Sequence, residues 1–317
     1  MTRVAILDDY QKASLGLADW ARLGAEVKVE AFDRPFADGD EAATRLAAFE
    51  VIVAMRERTP FPRALIERLP RLRLLVTTGM RNAAIDMAAA SSRGVLVCGT
   101  EMLPYPTAEL TWGLILSLSR NIPVEDRAMR AGGWQTTLGV DLRGKTLGVI
   151  GLGRLGAEVA RIGRAFGMEV VAWSRNLTDE RATSAGAARV EKAALLARAD
   201  VVTIHLVLSE RTRGLIGAAE LAAMKRTAFL VNTSRGPIVD TAALIEALRT
   251  RRIAGAALDV YDAEPLPADH PLRRLDNVVL TPHLGYVTAE NYRQAYGQAV
   301  EDIAAFLAGK PVRVLNG

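Results

Sequence analysis

Three titratable side chains in the last part of the sequence have the types and spacing that acid–base chemistry needs. Arg235, Glu264 and His283 each follow a short apolar run that is typical of a buried strand. A guanidinium is planar and binds a carboxylate through two hydrogen bonds, and histidine exchanges a proton near neutral pH. A carboxylate beside that histidine would favour the imidazolium and fix the ring. The set indicates proton transfer to a small acid, although each residue alone is also compatible with a solvated loop.

A glycine motif precedes this set in the chain. The motif Gly151-Leu-Gly153-Arg-Leu-Gly156 follows an apolar run at 147–150 and opens a helical pattern at 155–166. In a strand–loop–helix unit the first glycine permits a tight turn, the second lets backbone amides approach a pyrophosphate, and the third lets the helix pack on the strand. The start of the helix adds unpaired amides and a positive dipole end. The context favours dinucleotide binding over an ordinary glycine-rich turn.

The residues after the next strand bear on the type of dinucleotide. Sheets specific for NAD place an Asp or Glu there to bind the ribose 2′-hydroxyl, but this strand ends in Ser174-Arg175-Asn176. Ser174 can donate a hydrogen bond to a 2′-phosphate, and Arg175 can supply positive charge. We therefore expect NAD(P)H as cofactor, with NADP(H) preferred over NAD(H). The alternative is that Arg175 points to solvent and NAD(H) is used.

These residues require a parallel sheet to position them. From residue 147 onward, short β-branched runs alternate with helical patterns, which predicts six parallel strands covered by helices in a doubly wound fold. The predicted strands are 147–150, 170–173, 201–206, 229–231, 256–258 and 278–280, and the helices are 155–166, 193–199, 218–224 and 241–250.

The first hundred residues repeat this logic on a smaller scale and predict a second α/β lobe. A long apolar helix, 109–119, is predicted to cross between the lobes. The strands predicted for the small lobe are 4–7, 27–31, 51–54, 74–77 and 95–97.

Composition excludes several classes of function. The 317 residues carry a net charge of only +4 with no basic run, which disfavours nucleic acid as a partner. No apolar stretch is long enough for a membrane span, and the N-terminus does not resemble a signal peptide. The three histidines lack metal-ligand spacing, and the single cysteine, Cys98, lies in a predicted buried strand. We expect a cytoplasmic protein without a metal.

Four segments resemble the motifs of the D-isomer-specific 2-hydroxyacid dehydrogenases, a family that includes glyoxylate/hydroxypyruvate reductases and phosphoglycerate dehydrogenase. The segments are Leu147-Gly-Val-Ile-Gly-Leu-Gly-Arg-Leu-Gly156, Asn232-Thr-Ser-Arg-Gly-Pro-Ile-Val-Asp240, Ala257-Leu-Asp-Val-Tyr-Asp-Ala-Glu-Pro265 and Thr281-Pro-His-Leu-Gly285. Their order and separations also match the family, and the resemblance spans nearly the whole chain.

The resemblance implies hydride transfer between NAD(P)H and a small 2-oxo or 2-hydroxy acid of D configuration. Arg235 is expected to bind the substrate carboxylate, Glu264 to hold and charge His283, and His283 to exchange a proton with the substrate oxygen. Asp259 resembles the family's partner for the nicotinamide carboxamide, and His205 a wall of the cofactor site. The full set of expected cofactor residues is Gly151, Gly153, Arg154, Leu155, Gly156, Ser174, Arg175, His205, Leu206, Thr212, Thr233, Asp259 and Gly285.

The resemblance also implies a domain organisation. Residues 1–99 with 287–317 are expected to form a flavodoxin-like substrate-binding domain, in which the last helix, 289–307, and a segment at 312–314 return to the small lobe. Residues 100–286 are expected to form the NAD(P)-binding domain. Members of the family are commonly dimers, so we expect a homodimer joined through the 101–145 segment.

The substrate end departs from the family pattern. The small-lobe loop that receives the substrate carboxylate usually ends in Asp-Asn, but this chain has Gly79-Met80-Arg81-Asn82, and Tyr286 stands where a small residue is commoner. Arg81, with Arg56 as a neighbour after the preceding strand, is a candidate partner for a second anionic group on the substrate.

Three rival functions are compatible with parts of this sequence. A dinucleotide-sensing corepressor with this fold would bind cofactor without turnover. A methyltransferase using S-adenosylmethionine is disfavoured by the Arg–Glu–His set and by the lack of a terminal antiparallel hairpin. A dehydrogenase acting on formate or phosphite would share the fold but not a ketone substrate.

Overall fold

The computed structural model describes all 317 residues, which form two parallel β-sheets in two separate units. Unit 1 consists of Met1–Leu103 together with Val287–Gly317, and unit 2 of Pro104–Tyr286. The prediction of an α/β protein with two Rossmann-like lobes is confirmed.

The sheet of unit 1 has five parallel strands in the order β2-β1-β3-β4-β5. These strands are β1 (Thr2–Ile6), β2 (Val27–Ala31), β3 (Val51–Ala54), β4 (Leu74–Thr77) and β5 (Leu96–Gly99). This is the flavodoxin-like order. Every residue of β3 and β4 is buried, which is why each reads as an unbroken apolar run.

The helices of unit 1 are short except for the last one. They are α1 (Ser14–Leu17), α2 (Gly39–Leu46), α3 (Arg63–Ile66) and α4 (Met87–Ser92), with a 3₁₀ turn at Trp20–Leu23. The last helix of the chain, Ala289–Leu307, has the predicted bounds, because the Thr288 side chain accepts a hydrogen bond from the Asn291 amide and caps its start. The residues after it run antiparallel to β5, where Val314 pairs with Cys98.

The sheet of unit 2 has seven parallel strands, one more than the sequence predicted. The strands are β6 (Thr146–Ile150), β7 (Glu169–Trp173), β8 (Ala188–Arg189), β9 (Val201–Ile204), β10 (Phe229–Asn232), β11 (Gly255–Leu258) and β12 (Val278–Leu280). Their order is β12-β11-β10-β9-β6-β7-β8, which contains the order of the dinucleotide-binding fold. The extra strand β8 has two exposed residues and gives no apolar run, so the pattern could not show it.

Nine helical segments of unit 2 pack on its sheet or connect its strands. They are α5 (Pro106–Ser119), α6 (Ile122–Arg130), α7 (Arg154–Ala165), α8 (Asp179–Ser184), α9 (Lys192–Arg198), α10 (Ala218–Ala223) and α11 (Thr241–Arg249), with 3₁₀ turns at Gly236–Ile238 and Pro271–Arg274. Numbering continues with α12 for Ala289–Leu307 in unit 1. The sequence missed α6 because none of its residues is buried.

Apolar layers lie on both faces of the unit 2 sheet, one with α5 and α7 and the other with α9, α10 and α11. The predicted strand at 201–206 is too long, since β9 ends at Ile204 and leaves His205 and Leu206 in the loop beyond. No helix has the length and apolar character needed to cross a membrane.

Candidate active site

The three glycines of the motif after β6 have different surroundings. Gly151 has φ +99°, and a Cβ placed there would lie 2.5 Å from the His205 carbonyl oxygen. A Cβ at Gly156 would overlap the carbonyl oxygen of Gly151. Gly153 caps α7, and nothing lies within 4 Å of a Cβ at that position. The fold itself therefore requires the outer two glycines, whereas the middle one keeps an open approach to the first amides of a helix.

Those first amides belong to Arg154 and Leu155, which have no partner earlier in their own helix. Arg154 is exposed and Leu155 is partly buried. An open glycine, free amides and the positive end of a helix fit a dinucleotide pyrophosphate. The residues present therefore fit the cofactor that the motif implies.

The end of β7 offers positive charge and no acid to a ligand. Ser174 is partly buried, and its carbonyl oxygen accepts a hydrogen bond from the Leu177 amide at 3.0 Å, which closes a turn. Arg175 is exposed at the tip of this turn and forms no ion pair in the described chain. The next acid along the chain, Asp179, lies 3.7 Å from Arg189.

The loop after β9 forms a wall next to the glycine motif. His205 Nε2 lies 2.9 Å from the Thr203 hydroxyl, and burial lowers the pKa of this imidazole to about 4. His205 is therefore neutral at neutral pH and unsuited to donate a proton there. The Leu206 carbonyl oxygen accepts a hydrogen bond from the Ser234 hydroxyl. The Thr212 hydroxyl donates to the Val207 carbonyl oxygen at 2.8 Å and so closes the same loop.

The histidine and glutamate predicted from the sequence are in contact. His283 Nδ1 lies 2.6 Å from Glu264 Oε2, and the other carboxylate oxygen accepts the Tyr261 amide at 2.8 Å. Burial acts to raise the pKa of Glu264, but His283, the Tyr261 amide and the charge of Arg235 together outweigh it, and the pKa lies below its usual value. Glu264 is thus an anion that holds the imidazole through Nδ1 and leaves Nε2 as the ring nitrogen for a substrate.

Arg235 lies close to this pair. It follows β10, and the Asn232 side chain donates to its carbonyl oxygen at 2.9 Å while accepting the Ser234 amide at 3.0 Å. Its guanidinium donates to the Ser234 carbonyl oxygen at 2.8 Å, and its charge contributes to lowering the pKa of Glu264. Arg235, Glu264 and His283 thus come from the ends of three adjacent strands, β10, β11 and β12.

Asp259 has a structural role that the sequence did not reveal. It is completely buried and accepts hydrogen bonds from the Thr281 hydroxyl at 2.6 Å and from the amides of Leu284 at 2.7 Å and Gly285 at 2.9 Å. Burial raises its pKa, and these hydrogen bonds act against that rise. Asp259 therefore anchors the loop that carries His283.

Tyr261 is a second residue that sequence reasoning missed. Its hydroxyl contacts the carbonyl oxygens of Leu258 at 3.0 Å and Thr281 at 2.9 Å, which joins the ends of β11 and β12. Burial raises the pKa of this phenol, so it remains protonated. Its place inside the Ala257–Pro265 motif was the only signal in the sequence.

The remaining predicted residues of unit 2 surround the histidine loop. The Thr233 and Thr111 hydroxyls are 2.9 Å apart, and the Gly285 carbonyl oxygen accepts the Thr107 hydroxyl at 2.9 Å. The Tyr286 ring lies edge-on to the His283 ring, with centroids 5.3 Å apart.

In unit 1, the loop after β4 contains two backbone amides that make no hydrogen bond within the described chain. Gly79 has φ +116°, its amide donates to the Thr100 hydroxyl at 3.3 Å, and a Cβ there would overlap the Arg56 guanidinium. Met80 and Arg81 are exposed, and their amides make no hydrogen bond within the described chain. The Asn82 side chain donates to the Arg56 carbonyl oxygen at 2.6 Å and so ties the loop to the residue after β3. The loop therefore offers two free amides beside two arginines.

Neither a reactive thiol nor a metal-binding cluster is found in the described residues. Cys98 is buried, and burial raises the pKa of its thiol to about 12. No cluster of three or more histidine, cysteine, aspartate or glutamate side chains is placed to hold a metal ion in the 317 described residues.

Comparison with known proteins gives a family match. Residues 112–285 match the family model described as D-isomer specific 2-hydroxyacid dehydrogenase, NAD binding domain. This region contains the glycine motif and the Arg–Glu–His set.

Similarity to individual proteins extends over both units. A glyoxylate reductase of Aeropyrum pernix is 43% identical over 263 residues, which cover 80% of this chain and 78% of that protein. A D-3-phosphoglycerate dehydrogenase of Archaeoglobus fulgidus is 39% identical over 86% of this chain, which spans only 52% of that longer protein. A phosphoglycerate oxidoreductase of Vibrio cholerae has a crystal structure that matches with a TM-score of 0.93 and 37% identity, covering 98% of this chain and all of that one.

Proposed function

Because the chain belongs to the D-isomer-specific 2-hydroxyacid dehydrogenase family, we propose that Arg235, Glu264 and His283 are the groups that carry its reaction. It is an enzyme, a 2-hydroxyacid dehydrogenase that uses a nicotinamide dinucleotide. The observation that carries the proposal is the 2.6 Å contact between His283 and Glu264, with the charge of Arg235 beside it. The proposed reaction is the reversible reduction of a small 2-oxo acid to the D-2-hydroxy acid.

The three side chains have different tasks in this mechanism. A nicotinamide dinucleotide held at the Gly151–Gly156 motif would supply or accept the hydride. The Arg235 guanidinium binds the substrate carboxylate and polarises the keto oxygen. His283 gives its Nε2 proton to that oxygen during reduction and removes a proton from the hydroxyl during oxidation. The Glu264 carboxylate stabilises the imidazolium and fixes the ring.

For the cofactor, we propose binding at the Gly151–Gly156 motif with a preference for NADP(H). The open space over Gly153 supports a pyrophosphate there. The exposed Arg175 and the lack of an acid at the end of β7 support a 2′-phosphate. We also propose that four further residues line this site: His205, Leu206, Thr212 and Thr233. Asp259 and Gly285 are proposed to lie next to the nicotinamide end.

For the substrate, we propose that the free amides of Met80 and Arg81 form an anion site for the acid. Arg81 and the neighbouring Arg56 would then favour acids with a second anionic group. Arg81→Ala should lower kcat/KM more for a dicarboxylic 2-oxo acid than for glyoxylate. An equal loss for both acids would remove the second-anion proposal.

A homodimer through the 101–145 segment is also proposed. Several large apolar side chains of this segment are exposed in unit 2, as expected for a surface that a second copy covers: Ile122, Met129, Trp134, Leu138 and Val140. Leu138→Glu should convert a dimer into a monomer in sedimentation velocity. A wild-type monomer at micromolar concentration would contradict the proposal.

The experiment that tests the proposed function is a panel of 2-oxo acids assayed with NADH and with NADPH. We expect turnover of at least one small 2-oxo acid, with NADPH the better cofactor. Tight binding of either cofactor without turnover of any acid would instead favour the alternative, a corepressor-like dinucleotide sensor.

A further inference from the structure

The C-terminal tail of the chain, residues 310–317, pairs with the sheet of unit 1 through one antiparallel bridge, between Val314 and Cys98. It lies along β5, the edge strand of the sheet. The Gly99 amide donates to the Arg313 carbonyl oxygen at 3.0 Å, and the Leu315 amide donates to the Val97 carbonyl oxygen at 2.8 Å. The Asn316 side chain accepts the Val97 amide at 2.7 Å and donates to the Val95 carbonyl oxygen at 3.0 Å. The tail therefore closes the open edge of the sheet with both backbone and side-chain hydrogen bonds.

The tail is joined to α12 by an ion pair whose carboxylate is fully buried and whose guanidinium is partly exposed. Arg313 Nε lies 2.9 Å from Asp302 Oδ1, and the Asp302 side chain is fully buried. The same guanidinium donates to the Gln298 carbonyl oxygen at 2.8 Å and to Glu301 Oε2 at 3.0 Å. Burial raises the pKa of Asp302 to about 7 even beside Arg313, so removing Arg313 would leave a buried carboxyl group that takes up a proton and no longer holds the tail. Arg313 itself has φ +50°, a conformation that a non-glycine residue keeps only where its surroundings hold it.

The tail meets the loop after β4 at Gly99. A Cβ at Gly99 would lie 2.8 Å from the Gly79 carbonyl oxygen, 3.0 Å from Leu315 Cδ1 and 3.2 Å from Met80 Cα. The tail, β5 and the loop after β4 are thus packed so closely at Gly99 that a single methyl group would not fit there. Directly after Gly99, the Thr100 hydroxyl accepts the Gly79 amide at 3.3 Å.

We propose that the C-terminal tail is a positioning element for the substrate loop, and that Leu315 and Arg313 hold Gly99 against Gly79 and Met80 so that the loop amides stay aimed at the substrate carboxylate. This inference rests on the proposed function, since it takes the Met80 and Arg81 amides as the anion site. Leu315 and Arg313 touch no reacting atom, so they are positioning residues. Loosening the tail widens the distribution of loop conformations and lowers the fraction that binds the acid.

The test compares Leu315→Ala and Arg313→Ala with two matched variants of the same tail. Val312→Ala shortens an apolar side chain that is exposed, and Lys310→Ala removes an exposed cation. Hydrogen–deuterium exchange of the complete enzyme reports on the loop at 78–82, and steady-state kinetics with glyoxylate separate KM from kcat. The cofactor dissociation constant is measured by fluorescence.

In Leu315→Ala and Arg313→Ala, we expect faster exchange at 78–82 and a KM raised by about tenfold. The cofactor dissociation constant should stay within about twofold. Arg313→Lys should recover part of the loss, since it restores a cation beside Asp302. Both matched variants should behave as wild type.

The result that overturns the proposal is faster exchange at 95–99, which reports release of the tail, with unchanged exchange at 78–82 and an unchanged KM. If Arg313→Ala does not fold, Leu315→Ala decides, because it keeps the ion pair. Gly79→Ala separates the two claims, since it strains the loop directly at φ +116°. An unchanged KM in Gly79→Ala would refute the claim that this loop binds the substrate. A raised KM in Gly79→Ala, together with an unchanged KM in the tail variants, would refute only the positioning role of the tail.

Discussion

Replacing Glu264 by glutamine tests the role of the charge next to His283 without changing the size of the side chain. The glutamate accepts two hydrogen bonds, one at each oxygen, from His283 and from the Tyr261 amide. A glutamine has one acceptor and one donor group, so when the imidazole is protonated one of the two N–H donors must face an NH₂ group. The substitution therefore removes the negative charge and one hydrogen bond while leaving the backbone in place.

The size of the effect follows from the geometry. Charge centres about 4 Å apart interact by about 4 kcal/mol at an effective dielectric constant of about 20. The two side chains are 21% and 32% exposed, so solvent screening reduces this to about 2 kcal/mol. That corresponds to about a 30-fold loss of kcat for reduction. Because glutamine carries no negative charge, the pH at which reduction falls to half its maximum should move down in the variant.

The assay is a pH–rate profile of kcat and kcat/KM for reduction, in Glu264→Gln and in Asp262→Asn. Asp262 is the matched control, since its carboxylate lies in the same loop but accepts the Thr241 hydroxyl at 2.6 Å instead of contacting His283. Asp262→Asn should keep the wild-type profile. A Glu264→Gln enzyme with the wild-type kcat and the wild-type pH midpoint would refute the assigned role of the charge.

Three further predictions concern the cofactor side. Gly153→Ala should fold with unchanged stability, because the space around Gly153 is open, but it should weaken cofactor binding about tenfold or more. If calorimetry gives the variant the cofactor affinity of the wild type, the pyrophosphate does not bind at Gly153. Arg175→Ala should lower kcat/KM for NADPH about fivefold relative to kcat/KM for NADH, whereas the control Arg181→Ala should not. If the ratio of the two kcat/KM values is unchanged in Arg175→Ala, the proposed preference for NADP(H) is wrong. His205 has a pKa lowered from 6.5 to about 4, so the unfolded chain binds its proton first and stability is lost as the pH falls from about 6.5 to 4. Urea unfolding at pH 7 and pH 5 should show this loss of stability, on the order of 1–3 kcal/mol at most. His205→Gln should lose less stability between these two pH values. An equal loss in the variant would show that His205 is not the group responsible.

The parts of the fold that the sequence predicted are those set by local patterns. Strands β3 and β4 are fully buried and therefore uniformly apolar, and α12 has a capping threonine at its start. The Glu264–His283 contact was also predictable, because parallel strands bring their carboxyl ends to one edge of a sheet. The two-residue strand β8 and the unburied helix α6 lack such patterns.

Other features depend on contacts between distant parts of the chain. The three donors to Asp259 lie more than twenty residues away, at Thr281, Leu284 and Gly285, so its anchoring role has no local signature. The packing of Leu315 over Gly99 joins residues that are far apart in the sequence. Only tertiary packing brings these groups together.

The most direct test of the account is the rate at which His283→Ala reduces a 2-oxo acid that the wild-type enzyme turns over. The account predicts that kcat falls by a factor on the order of 10²–10⁴, because the substrate oxygen loses its proton donor. The dissociation constant of the reduced cofactor should remain that of the wild type. Reduction by His283→Ala at the wild-type rate, with every acid of the panel, would contradict the central claim.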